Sequence, residues 1–387
     1  VFRFIAAAFI VLSLALGTQL SAAAQTTWNP YKGMWLTRAE LDSLPMSGTA
    51  WNHVVSVANS SWGSPNISDQ DSNHDTNVLG GALYAARTGD AAMRTKTANA
   101  IMSAINTENG GRVLALGRNV SGYVIAADLI NLPAYNAAMG ETFVSWLSSV
   151  RNEQMTECDT LIKCHNRRPN NWGTHAGGSR IAADIYLGDN ADLALAAKTF
   201  KGWLGDRSSY AAFSYGDLSW QCTSTAPVGI NRADCGEKSS IIPDDMRRGG
   251  SYAIPPAHTN YTWGALEGAA IQAELLSRAG YPAWQWGFNT LNDQAMKRAV
   301  MKLDELDRRF GGWWASGDDV ATVWIIEHAY HAGFRTTASR AGKAIDFTDW
   351  THNRNSTVPV PTNTSTIVVP SPTAVPVPTL TPTLEGC

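Results

Sequence analysis

Along most of the chain, short polar or aromatic clusters alternate with apolar runs rich in small residues. The clearest are "HDTNVLGGALYAARTGD" (74–90), "RNVSGYVIAADLINL" (118–132) and "NWGTHAGGSRIAADIYLGD" (171–189). "NYTWGALEGAAIQAELLSRAGY" (260–281) and "DDVATVWIIEHAYHAGF" (318–334) follow the same plan. Apolar residues recur at three and four, as in Val78, Ala82, Leu83 and Ala86, which is the period of a helix face. Ala and Gly on those faces let helices approach closely. Gly-Asp or Ala-Gly-Tyr ends several runs, as helix-stop chemistry requires. Alternation with a period of two is scarce. The pattern predicts an all-α chain of antiparallel helical hairpins whose polar clusters share one end. That points to an α/α toroid with a cleft at that end. A plain helical bundle is the alternative architecture.

The two ends of the chain depart from this plan. Residues 1–24 read as a secretory signal, with Arg3 as the positive region, "FIAAAFIVLSLAL" as the apolar stretch and "SAAAQ" offering cleavage after Ala24. A membrane anchor is the rival reading, but the apolar run is short and no later segment is long and apolar enough to span a bilayer. Residues 357–387 are rich in Pro and Thr and read as an extended linker or stalk, suited to display at a cell surface. Residues 25–356 are left as one globular domain. Hydrophobic residues make up 44% and charged ones 16% of the chain, enough for a large core. The formal net charge of −3 speaks against a nucleic-acid partner, which calls for a basic stripe. The 15 tryptophans serve either as core or as platforms for sugar rings.

In an exported chain, Cys158 with Cys164 and Cys222 with Cys235 suggest two local disulfides. Four cysteines permit three pairings, and the local one is the reading adopted. The spacings C-x5-C and C-x12-C do not match a compact zinc knuckle, and His165 is the only further ligand nearby. No metal or cofactor is expected.

Four clusters carry possible chemistry. The first is Asn170, Asn171, Trp172 and His175; if Asn171 lies in the first helical turn, His175 shares its face. A capping Asn and a satisfied histidine are the plainer reading. The second, "PDDMRRGGSYAIPPAHTNYTWGALEGA" (243–269), gathers Asp244, Asp245, Arg247, Arg248, Tyr252, His258, Asn260, Tyr261 and Trp263, with a capped loop and surface ion pairs as the plainer reading. The third is His74 and Asp75 at a helix entry, where an Asp is more often a cap. The fourth is Arg118, Asn119 and Tyr123, for which a structural role is the alternative.

Amide, imidazole, guanidinium and phenol together suit elimination from a uronic-acid polysaccharide. The C5 proton lies α to a carboxylate and is poorly acidic until that charge is masked. Asn, Arg or a protonated His does the masking, His or a tyrosinate removes the proton, and a Tyr hydroxyl protonates the leaving O4.

At "NNWGTH" and "RRGGSYAIPPAHTNYTWGALEGA" the chain resembles the alginate lyase family, the helical-toroid poly-mannuronate lyases, over roughly residues 60–340. The resemblance implies an incomplete α/α barrel with a deep cleft, no cofactor, and β-elimination giving a C4=C5 unsaturated uronate. It implies Asn171 as carboxylate neutraliser and His175 as neutraliser or base. Arg248 would be the arginine, with Arg247 as its substitute, and Tyr261 the catalytic phenol. In the family the Asn pair is followed directly by His; here Trp172, Gly173 and Thr174 intervene, so His258 is a second candidate imidazole. Substrate contacts would come from Asn170, Trp172, Arg247, Tyr252 and Trp263, and from His74, Arg118, Asn119 and Tyr123 at the other two clusters. The implied partner is an anionic polysaccharide bound by a monomer that does not stay in the membrane.

Two other classes stay open. A glycoside hydrolase on a similar toroid needs two carboxylates, for which Asp75 with Asp244 or Asp245 is the nominated pair. A non-catalytic glycan-binding protein needs only the aromatic cleft.

Overall fold

The computed structural model describes residues 27–214, 219–222, 229–248, 250–257, 260–288, 292–339 and 341–353. The signal-like segment and the Pro/Thr-rich stretch lie outside the described residues, as does His258. Among the described residues the chain is helical and has no strand. In chain order the helices are α1 (Arg38–Ser43), α2 (Thr49–Asn59), α3 (His74–Thr88), α4 (Ala91–Ala104) and α5 (Val113–Leu129). Then come α6 (Leu132–Tyr135), α7 (Ala137–Val150), α8 (Leu161–Arg167), α9 (Asn171–Leu187) and α10 (Asn190–Trp203). Further along the chain follow α11 (Tyr261–Arg278), α12 (Ala295–Phe310), α13 (Val320–Tyr330) and α14 (Thr348–Thr351).

Local chemistry makes the hairpins. Gly89 closes α3 at φ 72° and Gly188 closes α9 at φ 73°, a left-handed conformation that glycine adopts without steric cost. The very next residue caps the following helix. Asp90 accepts from the Met93 amide at the start of α4, and Asp189 from the Asp192 amide at the start of α10. A Gly-Asp dipeptide therefore ends one helix and begins its antiparallel partner.

Burial sorts the helices into two layers. Every residue of α5 is buried, and α3, α9 and α11 are buried almost all round, so these are inner helices. Helices α4, α7, α10 and α12 bury one face only and form the outer layer. Around the inner layer α3 packs on α5, α5 on α9, α9 on α11 and α11 on α13, while α14 links α13 to α2 and α2 returns to α3. The early and late parts of the chain meet there: the Trp51 and Trp350 ring centroids are 5.1 Å apart, and Trp350 Nε1 donates to the Pro45 carbonyl at 2.8 Å. The chain is an all-α toroid.

Helices α5, α9 and α11 run parallel. Ser179 on α9 both accepts from the Ser121 amide and donates to the Gly117 carbonyl of α5. A Cβ placed on Gly268 of α11 would lie 2.5 Å from the His175 amide nitrogen of α9, so the two backbones nearly touch. This brings the first turns of both helices to one end of the toroid.

Both local disulfides suggested by the spacing are present, Cys158–Cys164 and Cys222–Cys235. Among the described residues no helix is long and apolar enough to cross a membrane, and no three His, Cys, Asp or Glu side chains are grouped to hold a metal ion.

Candidate active site

Helix α9 begins at Asn171 with Asn170 in the N-cap position, yet the Asn170 side chain makes no capping bond. The cap comes from a distant turn. Residues 243–248 fold into successive tight turns, with the Asp245 amide donating to the Pro243 carbonyl at 2.7 Å and the Arg247 amide to the Asp244 carbonyl at 3.1 Å. These turns push Asp245 fully into the protein, where Oδ2 accepts from the Asn171 amide at 2.8 Å. One of the unpaired amides at the start of α9 is thereby satisfied by a carboxylate. Beside it Asn170 Nδ2 donates to Asp244 at 3.3 Å, and Asp244 pairs with Arg247 at 2.5 Å.

The same turn delivers Arg248. Its Nη1 donates to Asn171 Oδ1 at 3.0 Å and to Asp245 Oδ1 at 3.2 Å. Its guanidinium carbon lies 3.8 Å from the centroid of the Tyr261 ring, at the first residue of α11. Arginine has no acceptor, so this bond fixes the Asn171 amide with oxygen toward Arg248. The Asn171 Nδ2 group is buried and makes no hydrogen bond among the described residues. Burial pushes the Asp245 carboxyl upward, against the pull of Arg248 and the Asn171 amide. With one oxygen accepting from each donor, the carboxylate is the form those bonds require. Tyr261 is 39% exposed, so its phenol is open to a ligand.

One turn into α9, His175 is only 1% exposed. Neither ring nitrogen hydrogen-bonds among the described residues, and Nε2 lies 3.7 Å from Glu267 Oε2 of α11. Burial first, and then the Arg118 and Lys343 cations, hold the imidazole well below its usual range. At neutral pH His175 is therefore uncharged. Glu267 is equally buried, and its Oε1 accepts from the Lys343 amide at 2.8 Å. Burial and then Asp319 raise its carboxyl to about 8, so it is largely protonated at neutral pH. Burial and then Asp318 likewise raise Asp319 to about 7. Arg118 reaches toward this group from α5, 3.8 Å from Asp71, and Asp71 pairs with Lys343 at 3.0 Å.

The remaining sequence-predicted residues fall elsewhere. His74 Nδ1 and the Tyr123 hydroxyl are 2.7 Å apart as a buried pair between α3 and α5. Asn119 is buried, and its amide donates to the Asp69 carbonyl at 3.0 Å and the Ala115 carbonyl at 2.9 Å, holding the loop before α3. Trp263 is a core side chain whose Nε1 donates to the Trp313 carbonyl at 2.9 Å. Tyr252 lies against Ser219 and Glu237, its amide donating to Ser219 Oγ at 2.8 Å and its hydroxyl to the Glu237 carbonyl at 3.2 Å. Trp172 is half-buried, with Arg112 6.0 Å from its ring centroid. Asp75 is buried beneath Gly122, whose Cβ would lie 3.1 Å from its carboxylate oxygen, and burial raises it well above the usual carboxylate range.

Sequence reasoning missed Glu267, Asp319 and Lys343. An acid inside the small-residue run "GALEGAA" is the signal that was available for Glu267, since a Glu on an all-round buried helix is rare without a partner. Nothing local marks Lys343, which reaches the group from the segment after α13. No family model, characterised protein or solved structure matches the chain.

Proposed function

We propose that this chain is a secreted polysaccharide lyase that cleaves a uronic-acid polymer, alginate or a related polyuronate such as glucuronan, by β-elimination. The observation that carries the reading is the meeting of Asn171, Arg248 and Tyr261 from three separate segments, with Arg248 at 3.0 Å from Asn171 and 3.8 Å from the Tyr261 ring. A cation and an amide donor group at the start of α9 suit a carboxylate, and an exposed phenol adjoins them. In this reading Arg248 and Asn171 Nδ2 take the uronate carboxylate and offset the charge that develops as C5 loses its proton. Tyr261, acting as the tyrosinate, takes that proton and becomes the phenol, the C5–H electrons form C4=C5, and the C4–O4 bond breaks. The same phenol returns a proton to O4, so no net proton is consumed. Export is supported by the two disulfides and by the signal-like pattern of residues 1–24.

The test is ultraviolet absorbance of the purified protein mixed separately with poly-mannuronate, poly-guluronate and glucuronan. A rise from the conjugated product, abolished in Tyr261→Phe, is the expected result, and the fastest substrate names the polymer. New reducing ends without the absorbance rise would overturn elimination in favour of hydrolysis. Glycan binding with no bond cleavage would overturn catalysis altogether.

A further inference from the structure

We propose that Glu267 is a positioning residue that sets the tautomer of His175, donating a proton from Oε2 to the imidazole Nε2 so that the ring carries its own proton on Nδ1. The geometry gives each atom its part. Oε1 of Glu267 is committed as the acceptor of the Lys343 amide at 2.8 Å, which leaves Oε2 to carry the acid proton. Oε2 faces His175 Nε2 at 3.7 Å, about 0.8 Å beyond an ordinary hydrogen bond and within a small side-chain adjustment of one. Both groups are 1% exposed, and both imidazole nitrogens make no hydrogen bond among the described residues. Gly268, the next residue, is what lets α11 approach α9 closely enough for the two to face each other.

The surrounding charges favour the neutral pair over an ion pair. Arg118 from α5 and Lys343 from the segment after α13 both disfavour a cation on His175. Asp319 and Asp318 from the turn before α13 disfavour an anion on Glu267, although Arg118 and the Lys343 amide pull the other way. Asp71 and Tyr261 enter through their interaction with Arg118. The acid form holds below about 8 and is lost as pH rises through that value. Above it, a carboxylate on Oε2 accepts rather than donates, and the imidazole proton moves to Nε2. The consequence for catalysis rests on the lyase reading. An Nδ1–H on His175 gives the site a neutral donor below that pH and removes it above.

The experiment is nitrogen NMR of the protein labelled at histidine, titrated through the neutral and alkaline range, with His175→Gln used to assign the resonances. His175 is expected in the Nδ1–H form at neutral pH, crossing to the Nε2–H form with a midpoint near 8. In Glu267→Gln the amide oxygen keeps the Lys343 amide and the NH2 group faces His175, so the crossover disappears. In Asp319→Asn the crossover survives with a lower midpoint, because a charge that raised Glu267 is gone. A His175 that is doubly protonated at neutral pH, or never changes tautomer, overturns the proposal. So does a crossover that persists unchanged in Glu267→Gln. If Glu267→Gln fails to fold, the wild-type and Asp319→Asn titrations decide. None of this needs a substrate, so absence of lyase activity would refute the functional reading and leave the pairing standing. With activity in hand, kcat/KM should fall above the crossover in the wild type and not in Glu267→Gln. A crossover with no such fall overturns the catalytic role.

Discussion

Gly268→Ala tests whether the approach of α9 and α11 organises this end of the molecule. The added Cβ would lie 2.5 Å from the His175 amide nitrogen and 2.5 Å from the Thr174 carbonyl carbon, both backbone atoms that cannot rotate away. Ordinary contact needs about 3.5 Å or more, so the helices must part by roughly 1 Å. Overpacking of that kind costs about 1–3 kcal/mol. For a domain of about 330 residues each kcal/mol lowers Tm by roughly 1–2 °C. Gly264→Ala is the control, one turn earlier on α11, where the nearest atoms are those of Asn171 at 3.9 Å. There the methyl fits, and replacing a helical glycine by alanine is neutral or stabilising by about 0.5–1 kcal/mol. Both variants are compared with the wild type by thermal and denaturant unfolding. Equal Tm values for Gly268→Ala and Gly264→Ala would refute the reasoning. If the lyase reading holds, parting the helices by roughly 1 Å also costs about 100-fold in kcat/KM, because Asn171 and Tyr261 ride on opposite sides of the contact.

Asp245→Asn should destabilise the protein by about 1–3 kcal/mol in denaturant melts, since its new NH2 group must oppose either the Asn171 amide or Arg248, both of them donors; unchanged stability would mean Asp245 is not the cap of α9. At the opposite end of α11, Arg278 joins Glu274 at 2.6 Å and Glu40 at 3.0 Å. Arg278→Met leaves both buried carboxyls without their cation and should cost about 3–5 kcal/mol. Burial raises Glu274 and Glu40, but Arg278, joined by His352 at Glu274 and by Thr37 at Glu40, more than offsets it, so both carboxyls are held below their usual range. Depressed carboxyls stabilise the fold above the unfolded carboxyl range and lose that contribution as pH falls. The wild-type Tm should therefore drop through the acid range, and Arg278→Met should flatten that drop; parallel curves would contradict the assignment.

Much of the architecture was legible because it is local. The apolar period of three and four and the Gly-Asp corners at 88–90 and 187–189 are set by neighbours in sequence, and each became a hairpin. The site clusters at 170–175 and 243–263 also do meet, but the reason was not legible. Asp245 caps α9 from 74 residues away, and Lys343 closes over Glu267 from 76. Such bonds leave no periodic trace. Charge states were hidden for the same reason: His175 is neutral because two other helices and a late loop bury it beside cations. Trp263 shows the limit for aromatics, since a core tryptophan and a sugar platform look alike until the neighbours are known.

The charge layout separates two halves of this end of the toroid. Around Glu267, the cations Arg118 and Lys343 are answered by Asp71 and Asp318, so the charge there is compensated. Around Tyr261, Arg248 bonds to one carboxylate among the described residues, Asp245, and adjoins the amide ends of α9 and α11. In the lyase reading, the uronate carboxylate is therefore drawn to the Arg248 side. In that reading the masked charge lies beside the Tyr261 ring, 3.8 Å from the Arg248 guanidinium. Arg248→Lys separates the charge from the geometry: lysine keeps the cation but loses the fork that reaches Asn171, Asp245 and the Tyr261 ring together. Its expected effect is a kcat/KM loss close to that of Arg248→Ala on the best polyuronate. Retention of wild-type kcat/KM would show that the site asks only for a positive charge.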